Sequence, residues 1–218
     1  MNSLQRRLFG GSRVYWRAKD IERIAKRFGA SMSDVADLVS RNAPAQIAPV
    51  TKQEAGAKAG GMFRFTLSSN ALDAHGDTVN VNGWDFGRVS RNFPALAFHD
   101  HTLPIGKWIN RTIEGGKLKA TLKLSNDGYA QKLGRQIEEG VLIAASVGFI
   151  PGTWEWSSDK SRPDGIDFIK GHQLLEASVC SIGSCPDALL EATVAAKSAT
   201  PALDAARRRM AKLKGRLR

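Results

Sequence analysis

The sequence predicts an α+β domain whose body is rich in strands. Two observations predict it. Between about residues 62 and 192, short apolar or alternating runs are separated by Gly and Asn turns, the pattern of strands. Helical spacing recurs in that body only over 127–139, and otherwise gathers at the two ends, in 17–42 and 202–217.

In chain order, Ile21, Ile24, Ala25 and Phe28 repeat at helical spacing. Gly29 breaks the run, and Ser31 or Ser33 caps a second helix carrying Val35, Leu38 and Val39. Residues 43–61 are rich in Ala, Gly and Pro without periodicity and read as a linker. MFRFTLSS, from Met62, alternates as a strand does, and the stretch to Val89 is turn-rich, with Gly76-Asp77 and Asn82-Gly83. Residues 95–99 form a short apolar strand. Residues 108–113 and 117–124 make two strands joined at Glu114-Gly115-Gly116. The helix of 127–139 ends at Gly140. Buried strands follow in 141–150 and 168–181, and a basic helical tail closes the chain. Four regions result: a basic helical N-terminal segment (1–42), read as a candidate pro-segment; the linker (43–61); the body (62–192); and the basic tail (193–218).

The chain has 218 residues and a net charge of +11, but the charge is unevenly placed. Residues 1–27 carry +6 and residues 205–218 carry +7, which leaves the rest at −2. A uniformly basic protein points to nucleic acid. A near-neutral body with two basic ends does not, and nucleic acid is suggested only by those ends. At 42% hydrophobic residues the chain can bury a core, which excludes global disorder. No apolar run reaches about 18 residues, so no membrane helix is expected, and no apolar segment follows Arg6 and Arg7 as a secretory signal requires. Cys180 and Cys185 are too few for a disulfide scaffold and imply a reduced, cytosolic-type compartment.

Three segments carry candidate chemistry. In FHDHTLPIGKW, His99 and His101 share a strand face, so the pair could ligate a metal with Asp77, His172 or a cysteine. Equally, one of them is a general base near neutral pH and the other a surface residue. No HExxH or paired-cysteine spacing supports a metal. In AASVGFIPG, Ser146 sits in an apolar strand, where a hydroxyl needs a partner or a task, and Gly148 lets something approach. The plain alternative is a core serine bonded to a carbonyl. In HQLLEASVCSI, Glu176 lies in an apolar strand; a buried carboxylate there needs a partner such as a histidine, whereas on an edge strand it would face solvent. Together the three supply a nucleophile, a base and an orienting acid.

The ordered series AHGDTVNVNGWDF (74–86), His99-Asp100 with PIGKW, EEGVLIAASVGF (138–149) and LLEASVCSIGSCPDA (174–188) resembles the prohead maturation proteases of tailed phages. The resemblance covers about residues 62–192. It implies a serine endopeptidase similar in fold to the herpesvirus assemblins, a mainly antiparallel β-barrel flanked by helices. It implies Ser146 as nucleophile, His99 as general base and Glu176 as third member, with no cofactor and no metal. The implied partners are the major capsid and scaffold proteins of a phage or prophage and the protein itself, by autoprocessing or as a dimer, inside a prohead assembling in the host cytoplasm. The linker and the tail after about residue 192 look exposed and are the expected self-cleavage regions. Two other functions compete. DIERIAKRFGASMSDVADLV resembles a helix-turn-helix, so residues 20–41 would serve a DNA-binding or scaffold-associated module without enzymatic activity. A metal-dependent hydrolase would use His99 and His101.

Overall fold

A computed structural model describes residues 13–41 and 61–194. The linker as far as residue 60 and the basic tail lie outside the described residues, and so do the self-cleavage regions expected there, apart from the first residues after 192. The N-terminal part contributes β1 (Arg13–Val14), α1 (Ala18–Arg27) and α2 (Met32–Arg41). The body follows with β2 (Met62–Ser69), β3 (Thr78–Val79), β4 (Trp84–Asp85), β5 (Pro94–Ala97), β6 (Asp100–Glu114), β7 (Lys117–Leu124), α3 (Gly128–Glu138), β8 (Ala144–Ile150), β9 (Thr153–Trp156), β10 (Ile166–Lys170), β11 (His172–Cys180) and β12 (Leu190–Val194).

The fold is α+β and mostly strands, but the strands do not close into a mainly antiparallel barrel. Nine of them form one mixed sheet, in the order β1-β8-β11-β5-β6-β7-β2-β12 with β4 also on β11. Three pairings are parallel: β1 with β8, β4 with β11, and β5 with β11. The cause is the late strand β11. It inserts between β8 and β5, running antiparallel to the former and parallel to the latter. The intervening β9–β10 hairpin leaves this sheet and joins β3 in a separate three-stranded sheet.

Local chemistry explains the elements. In β2, Phe63, Phe65 and Leu67 are fully buried, and burying such side chains contributes about 1.5–3 kcal/mol each. β2 pairs on both sides, with β7 and β12. Helix α3 starts at Asp127, whose carboxylate accepts the N–H groups of Tyr129 and Ala130. It buries Ala130, Leu133, Gly134 and Ile137, one helical stripe. The strand expected from 141 begins only at Ala144. The N–H groups of Val141 and Leu142 still reach back to the Gln136 carbonyl, which ties these residues to the helix's C-terminal end rather than to the sheet. At the N-terminus, α1 and α2 meet at Gly29, whose φ of 64° ends the first helix.

His172 belongs to the core. Its ring is fully buried, its Nε2–H donates to the Asn80 carbonyl at 2.8 Å, and Trp84 lies edge-on at 4.6 Å. Burial holds its pKa below the usual 6.5. The unfolded chain, titrating near 6.5, therefore binds the extra proton first, and stability present above that pH is lost as pH falls below it. Chemical denaturation at pH 7 and pH 5 is expected to show this loss, with a shallower pH slope in His172→Gln.

Candidate active site

The site stands on three adjacent strands, β8, β11 and β5. In the β8–β11 ladder Ser146 lies opposite Ser178, and Gly148 lies opposite Glu176. Residues two apart in a strand share a face, so these four positions form one patch. Glu176 is not an edge carboxylate. It is 2% exposed, on a strand flanked by β8 on one side and by β4 and β5 on the other.

His99 enters from the end of β5. The strand stops at Ala97, which pairs with Asp100 at the start of β6. Phe98 and His99 are left as a two-residue turn, with φ of 55° and 60°. Two consecutive positive φ values are the signature of the hairpin turn that usually takes Asn-Gly. Here a bulky aromatic and a histidine hold that geometry, at about 1–3 kcal/mol each. The strain is held by β11: Phe98 N–H donates to the Val179 carbonyl at 3.0 Å, and His99 N–H donates to Ser178 Oγ at 3.1 Å. So the run expected as strand 95–99 ends in a turn that projects the imidazole back over β11.

Glu176 meets that imidazole. His99 Nδ1–H donates to Glu176 Oε1 at 2.6 Å, with the two side chains 13% and 3% exposed. This bond fixes the tautomer and leaves Nε2 as the basic nitrogen. The second oxygen, Oε2, accepts the Ser178 hydroxyl at 2.8 Å. Gly148 makes room for the carboxylate, because a Cβ there would collide with Glu176 Oε1.

Ser146 is 6% exposed and lines a cavity of about 410 Å³ together with His99. The rest of the wall includes Ala74, His75, Phe98, Cys180 and Ile182. Phe98 and Ile182 are exposed apolar side chains, 43% and 88%, suited to grip an apolar part of a ligand. Cys180 does not compete as a nucleophile. Burial, reinforced by the nearby Glu176 charge, pushes its thiol up to about 12, so it stays protonated.

The structure therefore brings His99, Ser146 and Glu176 to one place and separates His101 from them. His101 Nε2 hydrogen-bonds the Tyr15 hydroxyl at 2.5 Å instead. The other residues considered for a metal are engaged elsewhere: His172 in the core, and Asp77 accepting Ile166 N–H. Among the described residues no group of three or more His, Cys, Asp and Glu is placed to hold a metal ion. The first helix of the helix-turn-helix resemblance also has work inside the molecule. Arg23 and Arg27 stack over Trp154 and Trp156 of β9, and Asp20 accepts Trp154 Nε1–H.

Ser178 was not singled out by the sequence analysis. Its hydroxyl donates to Glu176 and accepts from the His99 backbone, so one fully buried side chain ties the carboxylate to the strained turn. The only signal in the sequence was its spacing, two residues after Glu176. Ser178→Ala leaves a buried N–H and a carboxylate oxygen short of a partner, and is expected to cost about 1–3 kcal/mol in a denaturant titration.

No curated protein matches the chain. The family model of the caudovirus prohead serine protease matches residues 49–203, well over half of the chain and all the residues of this site. With that match, the chain belongs to the caudovirus prohead serine protease family.

Proposed function

We propose that the protein is a serine endopeptidase of capsid maturation in which Ser146 is the nucleophile, His99 the general base and Glu176 the orienting acid. The observation that carries this reading is the His99–Glu176 bond of 2.6 Å beside the cavity that Ser146 lines. Serine is a weak nucleophile until an adjacent imidazole takes its proton. Ser146 attacks the scissile carbonyl while His99 Nε2 receives that proton. Glu176 holds Nδ1–H and stabilises the imidazolium. His99 then protonates the leaving amine, and water releases the acyl group by the same steps in reverse roles. The substrates are the major capsid and scaffold proteins inside the assembling prohead, and the protease itself, in the linker 43–61 or the tail after about residue 192. No helix among the described residues is long and apolar enough to cross a membrane.

The test is co-expression with the phage's own capsid and scaffold proteins, followed by intact mass spectrometry. Shortened capsid and protease species are expected with the native chain and absent with Ser146→Ala. Cleavage that persists in Ser146→Ala, or that a chelator abolishes, would sink the reading in favour of another nucleophile or a metal.

A further inference from the structure

At one end of the large sheet the chain covers its own strand edge next to Ser146. β1 runs parallel to β8, with Arg13 opposite Gly148 and Val14 opposite Phe149, and Tyr15 N–H donates to the Phe149 carbonyl at 2.8 Å. The covered stretch begins two residues beyond Ser146. The start of β8 is bonded elsewhere, Ala144 bridging Leu189 and Ala145 N–H donating to the Ala188 carbonyl at 2.8 Å, so the edge that β1 covers is the stretch from Gly148. Side chains alternate along the segment. Val14 and Trp16 are partly buried against the core, with the Trp16 ring 5.7 Å from Trp154 and 6.0 Å from Phe168. Tyr15 instead contacts His101, by the 2.5 Å hydrogen bond and at 5.7 Å between rings. The bonding of this segment is incomplete. Four buried side-chain polar atoms among the described residues have no hydrogen-bond partner, and one of them, Trp16 Nε1, belongs to it.

A bare edge strand presents unpaired N–H and C=O groups and takes up extended peptides by strand addition. An edge beside a nucleophile positions such a peptide for attack. We infer that the β8 edge is the docking surface for the extended peptide substrate, and that Arg13–Trp16 occupies it in cis as an exchangeable strand latched by the Tyr15–His101 bond. The inference rests on the protease reading above. The chemistry of the occupant describes the partner: an extended segment with apolar side chains at alternate positions, in place of Val14 and Trp16. A substrate gains this edge only by displacing the segment, so the enzyme's affinity for substrate is set partly by how firmly its own strand is held.

The probe is a fluorescent peptide with the chain's own sequence over residues 10–17, tested by anisotropy against the full-length chain carrying Ser146→Ala. Adding Tyr15→Pro removes the donor to Phe149, and is expected to tighten peptide binding roughly tenfold, the worth of a lost hydrogen bond and its pairing. Adding Tyr15→Phe removes the latch while keeping the backbone donor to Phe149, and gives a smaller gain. It also keeps the test valid if the proline variant melts early. The same peptide is expected to raise KM without changing kcat in the chain with Ser146 intact. Equal affinity in all three proteins, or binding that does not compete with turnover, overturns the inference and makes β1 a permanent strand. The two readings fail separately. Loss of Ser146 dependence removes the protease assignment, whereas Ser146-dependent cleavage with an unchanged affinity ranking removes only the strand exchange.

Discussion

Ser146→Ala is expected to lower kcat/KM for a peptide spanning a capsid processing site by about four to six orders of magnitude. The change removes a single oxygen from a strand position flanked by Ala145 and Val147, so the melting temperature should move little. The size of the loss follows from the division of labour. In the proposed mechanism the Ser146 hydroxyl oxygen forms the covalent intermediate, while the imidazole and carboxylate act only through it. His99→Ala should therefore lose nearly as much, and the double variant little more than either single one. His101→Ala is the informative control. His101 is turned to Tyr15, so its loss should leave kcat within a few-fold of the native chain. A large kcat loss in His101→Ala with retained activity in His99→Ala would transfer the base to the other histidine.

The second large effect concerns Glu176 and the glycine opposite it. Glu176→Gln keeps the shape but can present its NH₂ to the ring, which selects the wrong tautomer. A loss of about 10⁴ in kcat is expected. Gly148→Ala should damage the same bond from the other strand. The new methyl group occupies the space of the Glu176 carboxylate, so the side chain must move and His99 loses its orienting partner. A drop of at least about 10² in kcat, with a clear loss of stability, is expected. The two positions are directly opposed, so their effects should couple. In a double-mutant cycle, Gly148→Ala combined with Glu176→Ala should be more stable than the sum of the single changes predicts, because removing the carboxylate removes the collision. Activity should not return. Additive stabilities would show that the glycine is there for some other reason.

Much of this was legible in the sequence because it depends on short range. Alternation and apolar runs located β2, β7, β8 and β11. Asp127 and Gly140 bracketed α3, since a capping carboxylate and a left-handed residue act within one turn. Ser146 and Glu176 stood out because they are polar groups in apolar strands, where the desolvation penalty demands a purpose, whereas His99 was preferred to His101 only through the family resemblance. Two things went unseen. The 95–99 segment looks like a strand by composition, yet Phe98 and His99 sit in a left-handed turn that only the bonds to Val179 and Ser178 sustain. Ser178 itself looks like any serine in a strand, because its value lies in two groups distant in sequence.

The sequence by itself determined which residues are polar where polarity is costly, and therefore which residues are candidates for chemistry. The family match spans residues 49–203, which include those residues. Tertiary structure decided the geometry between them. The open mixed sheet replaced the expected barrel because β11, far along the chain, inserts between β8 and β5. That insertion sets Glu176 against Gly148 and Ser178 against Ser146, and holds the His99 turn above them. It also leaves the β8 edge beside the nucleophile, where Arg13 and Val14 pair. Strand order joins residues 28 positions apart at Gly148 and Glu176, 79 at His99 and Ser178, and 135 at Arg13 and Gly148, and periodicity, which is local, carries no information about it.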